Sequence, residues 1–301
     1  MSDRSPDLRF LLGKGGVGKS TFSALLALDK SKAGLNTLLV SMDPAHNQAD
    51  IFQQPLSEKP TAPSPNLRIL QVNLEKHIKN YLKESENNIK QRYNYLTAFN
   101  IQDHFKTLQY SPGIEEYAML RAYGTLLKTY PGCDVIIFDM PPTAMALRFF
   151  SLPQISLSWI EELIKLREKI LKKQQIVSNI RMGKKKIETD PVLTRLKEMQ
   201  KEYDSISQRF ESPSLGILLV TRPDDLSLAE SQRIHKKMNE LNLSIDQVIL
   251  NGSMDEKWLV KVSHHIPAND HIGMPQSKDP LIGMNNLTGY LSANAQQFKK
   301  I

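Results

Sequence analysis

The apolar run Leu8-Arg9-Phe10-Leu11-Leu12 leads into Gly13-Lys14-Gly15-Gly16-Val17-Gly18-Lys19-Ser20, and an apolar helical pattern follows from Thr21 to Leu28. Strand, glycine-rich loop and helix in that order put the helix N-terminus, with its unpaired backbone N–H groups, against whatever the loop encloses. The loop fits G-x-x-x-x-G-K-[ST], in which glycine N–H groups close round phosphates, Lys19 reaches the β/γ oxygens and Ser20 ligates Mg²⁺. Gly13, Gly15, Gly16, Val17, Gly18, Lys19, Ser20 and Thr21 are therefore the expected nucleotide-binding residues. Gly13, Gly15 and Gly18 also satisfy G-x-G-x-x-G, but a dinucleotide pyrophosphate held by backbone needs neither a lysine nor a metal ligand. Lys19-Ser20 selects the nucleoside triphosphate.

Lys14 is a second lysine in a loop whose phosphates Lys19 already neutralises. A cation at the loop tip has most use pointing outward, where it stabilises charge growing on a γ-phosphoryl group bound by another subunit. The plain alternative is a solvated surface lysine.

Further short apolar runs recur at 35–42, 67–72, 135–138, 215–220 and 245–250, with helical patterns between them. Strands alternating with helices predict an α/β, doubly wound, mostly parallel sheet. Two stretches, about 75–128 and 152–210, lack strand signals and carry amphipathic 3–4 spacing. The first contains Tyr81, Tyr93 and Tyr95 and breaks at Ser111-Pro112-Gly113; the second contains Leu163, Leu166, Ile170, Val177 and Ile180, then the loop Gly183-Lys184-Lys185-Lys186. The expected organisation is one domain over 1–301 with those stretches as helical insertions. At 301 residues and 40% hydrophobic composition such a core is affordable in size.

No apolar run approaches membrane-helix length and Met1 to Asp7 lacks an apolar signal core, so a soluble, cytoplasmic chain is expected. Cys133 is the lone cysteine, which excludes an intrachain disulfide. Of the net charge of +7, much sits in residues 161–210, which hold 13 Lys/Arg against 8 Asp/Glu. That is a local basic surface suited to nucleic acid, an anionic membrane or solubility alone.

Val135-Ile136-Ile137-Phe138 delivers Asp139 at a strand's C-terminal edge, the Walker-B arrangement that holds Mg²⁺ beside Ser20; the alternative is a helix N-cap. Ser41-Met42-Asp43-Pro44-Ala45-His46 brings a second carboxylate to the same edge, where open α/β sheets bind ligands. Asp43 is the candidate to orient or deprotonate the attacking water. His46 either senses the γ-phosphate or caps the next helix. Asn251 either reads adenine's edge with its amide or, with Gly252, forms an ordinary turn. His264, His265 and His271 lie in a Pro/Asn/Asp-rich segment and read as exposed loop residues.

The loop Lys14 to Ser20 resembles the deviant Walker A loop of the ParA, MinD, nitrogenase iron protein and ArsA group, and Asp43-Pro44-Ala45-His46-Asn47 with Asp50 narrows the likeness to arsenite-pump ATPases of ArsA type and the tail-anchored protein targeting ATPases. Pro112-Gly113-Ile114-Glu115-Glu116, Asp139 to Arg148, Thr221 to Glu230 and Asn251 are similar to later motifs of that family, in the same order. The resemblance implies an ATP-hydrolysing homodimer in which Lys14 acts across the interface, Lys19 and Ser20 hold phosphate and Mg²⁺, Asp43 activates water, Asp139 serves switch II and Asn251 contacts adenine. It also implies a helical subdomain whose apolar groove takes a client's transmembrane helix. The alternative function is the ATPase subunit energising an arsenite or other anion pump, with contact to the membrane through a pump or receptor partner. A ParA/MinD-like positioning protein is less consistent with Asp43 to His46, and no specific nucleic acid is expected. The chain departs from the family where Ala144 and Met145 replace the usual glycine and histidine of switch II. It lacks the zinc-binding Cys-x-x-Cys pair, so zinc is not expected.

Overall fold

The computed structural model describes residues 5–45, 47–92, 107–182 and 190–301, leaving the side chains of 88–92 and 177–182 outside the description. His46, Tyr93, Tyr95 and Lys184 to Lys186, with the side chains of Val177 and Ile180, therefore lie outside the described residues. The elements run β1 (Asp7–Leu12), α1 (Lys19–Lys32), β2 (Thr37–Ser41), α2 (Asn47–Phe52), β3 (Thr61–Ser64), β4 (Leu67–Gln71), α3 (Leu74–Arg92) and α4 (Ile114–Thr129). They continue through β5 (Val135–Asp139), α5 (Thr143–Met182), α6 (Pro191–Phe210), β6 (Leu215–Thr221), α7 (Asp225–Glu240), β7 (Gln247–Asn251), α8 (Glu256–His265), β8 (Asp270–Met274), α9 (Gly283–Ala293) and α10 (Ala295–Phe298).

The eight strands form one sheet in the order β3-β4-β2-β5-β1-β6-β7-β8, parallel throughout except for β3 against β4. The doubly wound, mostly parallel α/β architecture expected from the sequence is thus the observed one. The central strands are buried along their length because helices cover both faces, which is why they read as unbroken apolar runs. Successive residues point to opposite faces. On one face Phe10 stacks on Phe138 at 4.6 Å, with Tyr123 of α4 and Phe149 of α5 closing the cluster. On the other, Leu11 and Ile137 pack with Leu25 and Leu28 of α1 and with Leu287 and Phe298 near the C-terminus.

Two strands escaped the sequence reading. β3 holds Pro63 and survives because it is an antiparallel edge strand, the one place in a sheet that tolerates a missing N–H. β8, Asp270-His271-Ile272-Gly273-Met274, has weak strand propensity and is formed by pairing with β7. This corrects the expected loop histidines: His264 and His265 sit in the last turn of α8 and His271 lies in β8. Their hydrogen bonds explain the placement, since His265 Nδ1 donates to Lys261 O at 2.7 Å and His271 Nε2 to Ile266 O at 2.9 Å.

The chain divides into two compact units, one of residues 1–149 with 213–301 and one of residues 150–212. In the second, α5 and α6 are joined by the Phe150–Phe210 ring pair at 5.1 Å and by Arg167, which grips Asp190 through Nε and Nη2 at 3.1 and 2.7 Å. Asp190 also caps α6 by accepting from Leu193 N. No described helix is long and apolar enough to cross a membrane.

Candidate functional site

β1 lies between β5 and β6, so the loop that follows it opens where the winding of the sheet reverses, the usual ligand position of an open α/β sheet. The loop's shape depends on glycine at two contacts. Gly13 has φ +146°, and a Cβ there would meet Val220 O at 2.3 Å. Gly18 has φ +95° as the N-cap of α1, and its Cβ would strike Asn251 Nδ2, also at 2.3 Å. Any other residue would push the loop off β6 and β7.

Register sets the carboxylates. Leu11 of β1 and Ser41 of β2 both pair with Asp139, so the end of β5 is flanked by the phosphate loop on one side and by the segment carrying Asp43 on the other. Asp139 is fully buried. Burial pushes its carboxyl up to about 6, against the opposing pull of Gln48, Ser20 and Lys19. Lys19 is also buried; its ammonium donates to Lys14 O at 3.2 Å, and burial lowers its pKa while Asp139 and Asp43 work to keep it charged. Asp43 is nearly buried and its Oδ1 accepts from Ala45 N at 3.0 Å, which fixes the turn after β2.

Lys19, Ser20, Thr21, Asp43 and Asp50 line one cavity of about 570 Å³, together with Gly15, Gly16 and Gly18 of the loop. Gly16, Gly18 and Thr21 are shared with a neighbouring cavity of about 400 Å³ that Asn251, Gln276, Lys278, Asp279 and Tyr290 complete. These volumes suit a small molecule with two parts. Asn251 braces the loop by donating Nδ2 to Val17 O at 2.8 Å. Lys14 does not share the first cavity. It lines a third, of about 270 Å³, with Arg222 and Asp224 on the outer side of the loop. Among the described residues, no hydrogen bond or ion pair holds the side chain of Lys14 or Arg222.

Two features went unseen in the sequence. Gln48 and the segment Pro275 to Leu281 approach the loop only through the sheet. The segment had one available signal, the turn-rich Pro275-Gln276-Ser277-Lys278-Asp279-Pro280 after an apolar run, and Gln48 had only its place between Asn47 and Asp50. Asp139 Oδ1 is buried with no hydrogen-bond partner among the described residues. An orphaned carboxylate oxygen beside a loop serine suits a cation bound with its water, so the donor set fits Mg²⁺.

Comparison with known proteins agrees with this geometry. Residues 8–263 match the family model described as anion-transporting ATPase. A protein of Aquifex aeolicus assigned as an arsenical pump-driving ATPase is 25% identical, covering 92% of this chain and 95% of its own length. An Entamoeba histolytica protein named as a homologue of the ATPase ASNA1 is 28% identical, over 80% of this chain and 75% of its own. A Plasmodium falciparum protein of the same name is 29% identical over 80% of this chain and 61% of its own length. The chain belongs to the anion-transporting ATPase family and is an ATP-hydrolysing enzyme.

Proposed function

We propose that this chain acts as a homodimer whose ATP binding and hydrolysis open and close a helical surface for a client. The observation that carries the catalytic part is the convergence of Lys19, Ser20 and Asp43 on one cavity, with the buried Asp139 behind Ser20. In this reading Gly13, Gly15, Gly16, Val17, Gly18 and Thr21 wrap the phosphates with backbone N–H groups, and Lys19 holds the β/γ oxygens. Mg²⁺, held by Ser20 and Asp139, would supply charge neutralisation at those oxygens. Asp43 Oδ1 is engaged by Ala45 N, which leaves Oδ2 to orient the attacking water and accept its proton.

Lys14 points the reading toward a dimer. It stands outside its own nucleotide cavity, beside Arg222 and Asp224, where a second subunit's phosphates are the ligand for an ammonium that no hydrogen bond or ion pair holds among the described residues. Asn251, braced against Val17, keeps its carbonyl oxygen available to the base. The helical unit supports a client role through exposed Ile155, Trp159, Leu163, Leu166 and Ile170, which recur on one face of α5. The occupant matching such a stripe is an apolar helix of a membrane-protein client.

The test measures dimerisation and hydrolysis together, by light scattering and phosphate release across protein concentration, with and without ATP. ATP-dependent dimers and a specific activity that rises with concentration are expected. A monomer with concentration-independent turnover would overturn the trans role of Lys14. Retention of a transmembrane-helix peptide in solution by the ATP-bound protein tests the client.

A second reading, the ATPase subunit of an anion pump with a membrane partner, has one specific support: the Aquifex relative assigned to arsenical pumping, matched over nearly its whole length. Against it, Cys133 is buried, with its thiol pKa raised by that burial, so it offers no thiolate to a metalloid. Hydrolysis stimulated severalfold by arsenite would reverse the preference.

A further inference from the structure

Gln48, in the first turn of α2, has no exposed surface and is the most fully buried amide side chain near the nucleotide cavity. Its Nε2 lies within hydrogen-bond distance of three acceptors, which share its two N–H groups: Ser20 O at 2.8 Å, Ser23 Oγ at 2.7 Å and Asp139 Oδ2 at 2.9 Å. The amide direction is fixed by chemistry, because the reversed group would set an oxygen against a carbonyl and a carboxylate. Its own Oε1 is therefore left on the other side, buried and without a donor, as is Asp139 Oδ1.

A neutral amide removed from water costs free energy unless its polar atoms are paired, whereas Ile51 and Phe52 of the same helix enter the core as apolar side chains. A glutamine that leaves one atom unpaired is therefore poorly explained as core. Asp139 has two oxygens, and Gln48 occupies one of them. The same nitrogen reaches the first turn of α1 through Ser20 and Ser23, and Ser23 Oγ in turn donates to Ser20 O at 2.8 Å. One amide thus ties together the helix after Asp43, the helix after the phosphate loop and the end of β5.

We infer that Gln48 is a positioning residue of the metal site: it holds Asp139 Oδ2 so that Oδ1 is the oxygen offered to hydrated Mg²⁺, and it links the metal to the segment bearing Asp43. This rests on the reading of Asp139 as a magnesium ligand. The open atom of the carboxylate, Asp139 Oδ1, is an acceptor, which a hydrated cation satisfies through its charge and its water protons.

The experiment titrates the full chain with a fluorescent ATP analogue, first without metal and then with rising Mg²⁺, and repeats the metal series with Mn²⁺ by paramagnetic resonance. Gln48→Leu and Gln48→Met, of similar volume, are expected to bind nucleotide without metal within about twofold of the parent, and to need about tenfold more Mg²⁺ or Mn²⁺ for half-saturation. A purely structural role would lower the melting temperature and weaken metal-free binding while leaving the metal midpoint in place. Asp139→Ala separates the two claims. Should it leave the metal response of the parent intact, the reading of Asp139 as the ligand fails. Should it abolish that response while either folded Gln48 variant keeps the parent midpoint, the positioning role alone is overturned.

Discussion

Asp139 and Asp190 are the same residue in opposite environments, one in each compact unit of the chain. Asp139 is sealed at the end of β5, where burial raises its carboxyl to about 6 despite donors nearby. Asp190 starts α6, and the guanidinium of Arg167 with the N–H of Leu193 holds its carboxyl down to about 2. The first is kept in a state that costs stability and leaves one oxygen without a partner among the described residues; the second is engaged by a guanidinium and a backbone N–H and serves the fold. The difference teaches where chemistry lies in this protein. The sheet edge stores unsatisfied polar atoms, whereas among the described residues the helical unit has its charges paired or solvated and leaves apolar side chains uncovered.

The sharpest break of that comparison is at the sheet edge. Lys14→Ala is expected to lower kcat by about 10³-fold with little change in nucleotide affinity, the size of effect of a cation supplied to a phosphoryl transition state. Steady-state kinetics beside equilibrium binding would read it, and a loss confined to KM would demote Lys14 to a surface residue. Asp43→Asn is expected to cost roughly 10²-fold or more in kcat through loss of the proton acceptor.

Stability against pH then separates the two carboxylates. Asp139 has its folded pKa above the unfolded one, so the metal-free protein gains stability as pH falls toward about 4 and is penalised above about 6. Asp139→Asn should therefore stabilise the metal-free protein at pH 8, by up to about 3 kcal/mol, with the gain vanishing near pH 4. Asp190 has its folded pKa depressed, so its contribution is present above the unfolded value and lost as pH falls toward 2. Asp190→Ala is expected to lower the melting temperature at pH 7 and to make no difference near pH 2. Identical pH profiles for the two variants would erase the contrast.

The helical unit's own test is smaller. Trp159→Glu places a charge in the exposed stripe and should weaken retention of an apolar helical peptide by about tenfold, with the melting temperature unchanged. Equal retention by parent and variant would remove α5 as the client face.

Much of the site was legible because its signals are local. The phosphate loop needs glycine at fixed spacing, with Lys19 and Ser20 immediately after, and Asp139 and Asp43 each follow a strand whose apolar run marks its end. β8 and the segment from Pro275 were illegible, since β8 exists only through pairing with β7. Gln48 looked like one more polar residue in a short helix. Its importance comes from Ser20, Ser23 and Asp139, which are distant in the chain and meet it only when β5 slots beside β1.

The sequence by itself determined the strand, loop and helix that form the candidate nucleotide site, and the alternation that winds the sheet, because backbone conformation and hydrophobic period are properties of neighbouring residues. Only the tertiary structure decided which oxygen of Asp139 stays open and that Lys14 stands apart from its own cavity beside Arg222. It also decided that Asn251 braces the loop it was expected to serve. Those outcomes depend on strand order and register, which bring distant residues within hydrogen-bond reach and remove the water that would otherwise satisfy them.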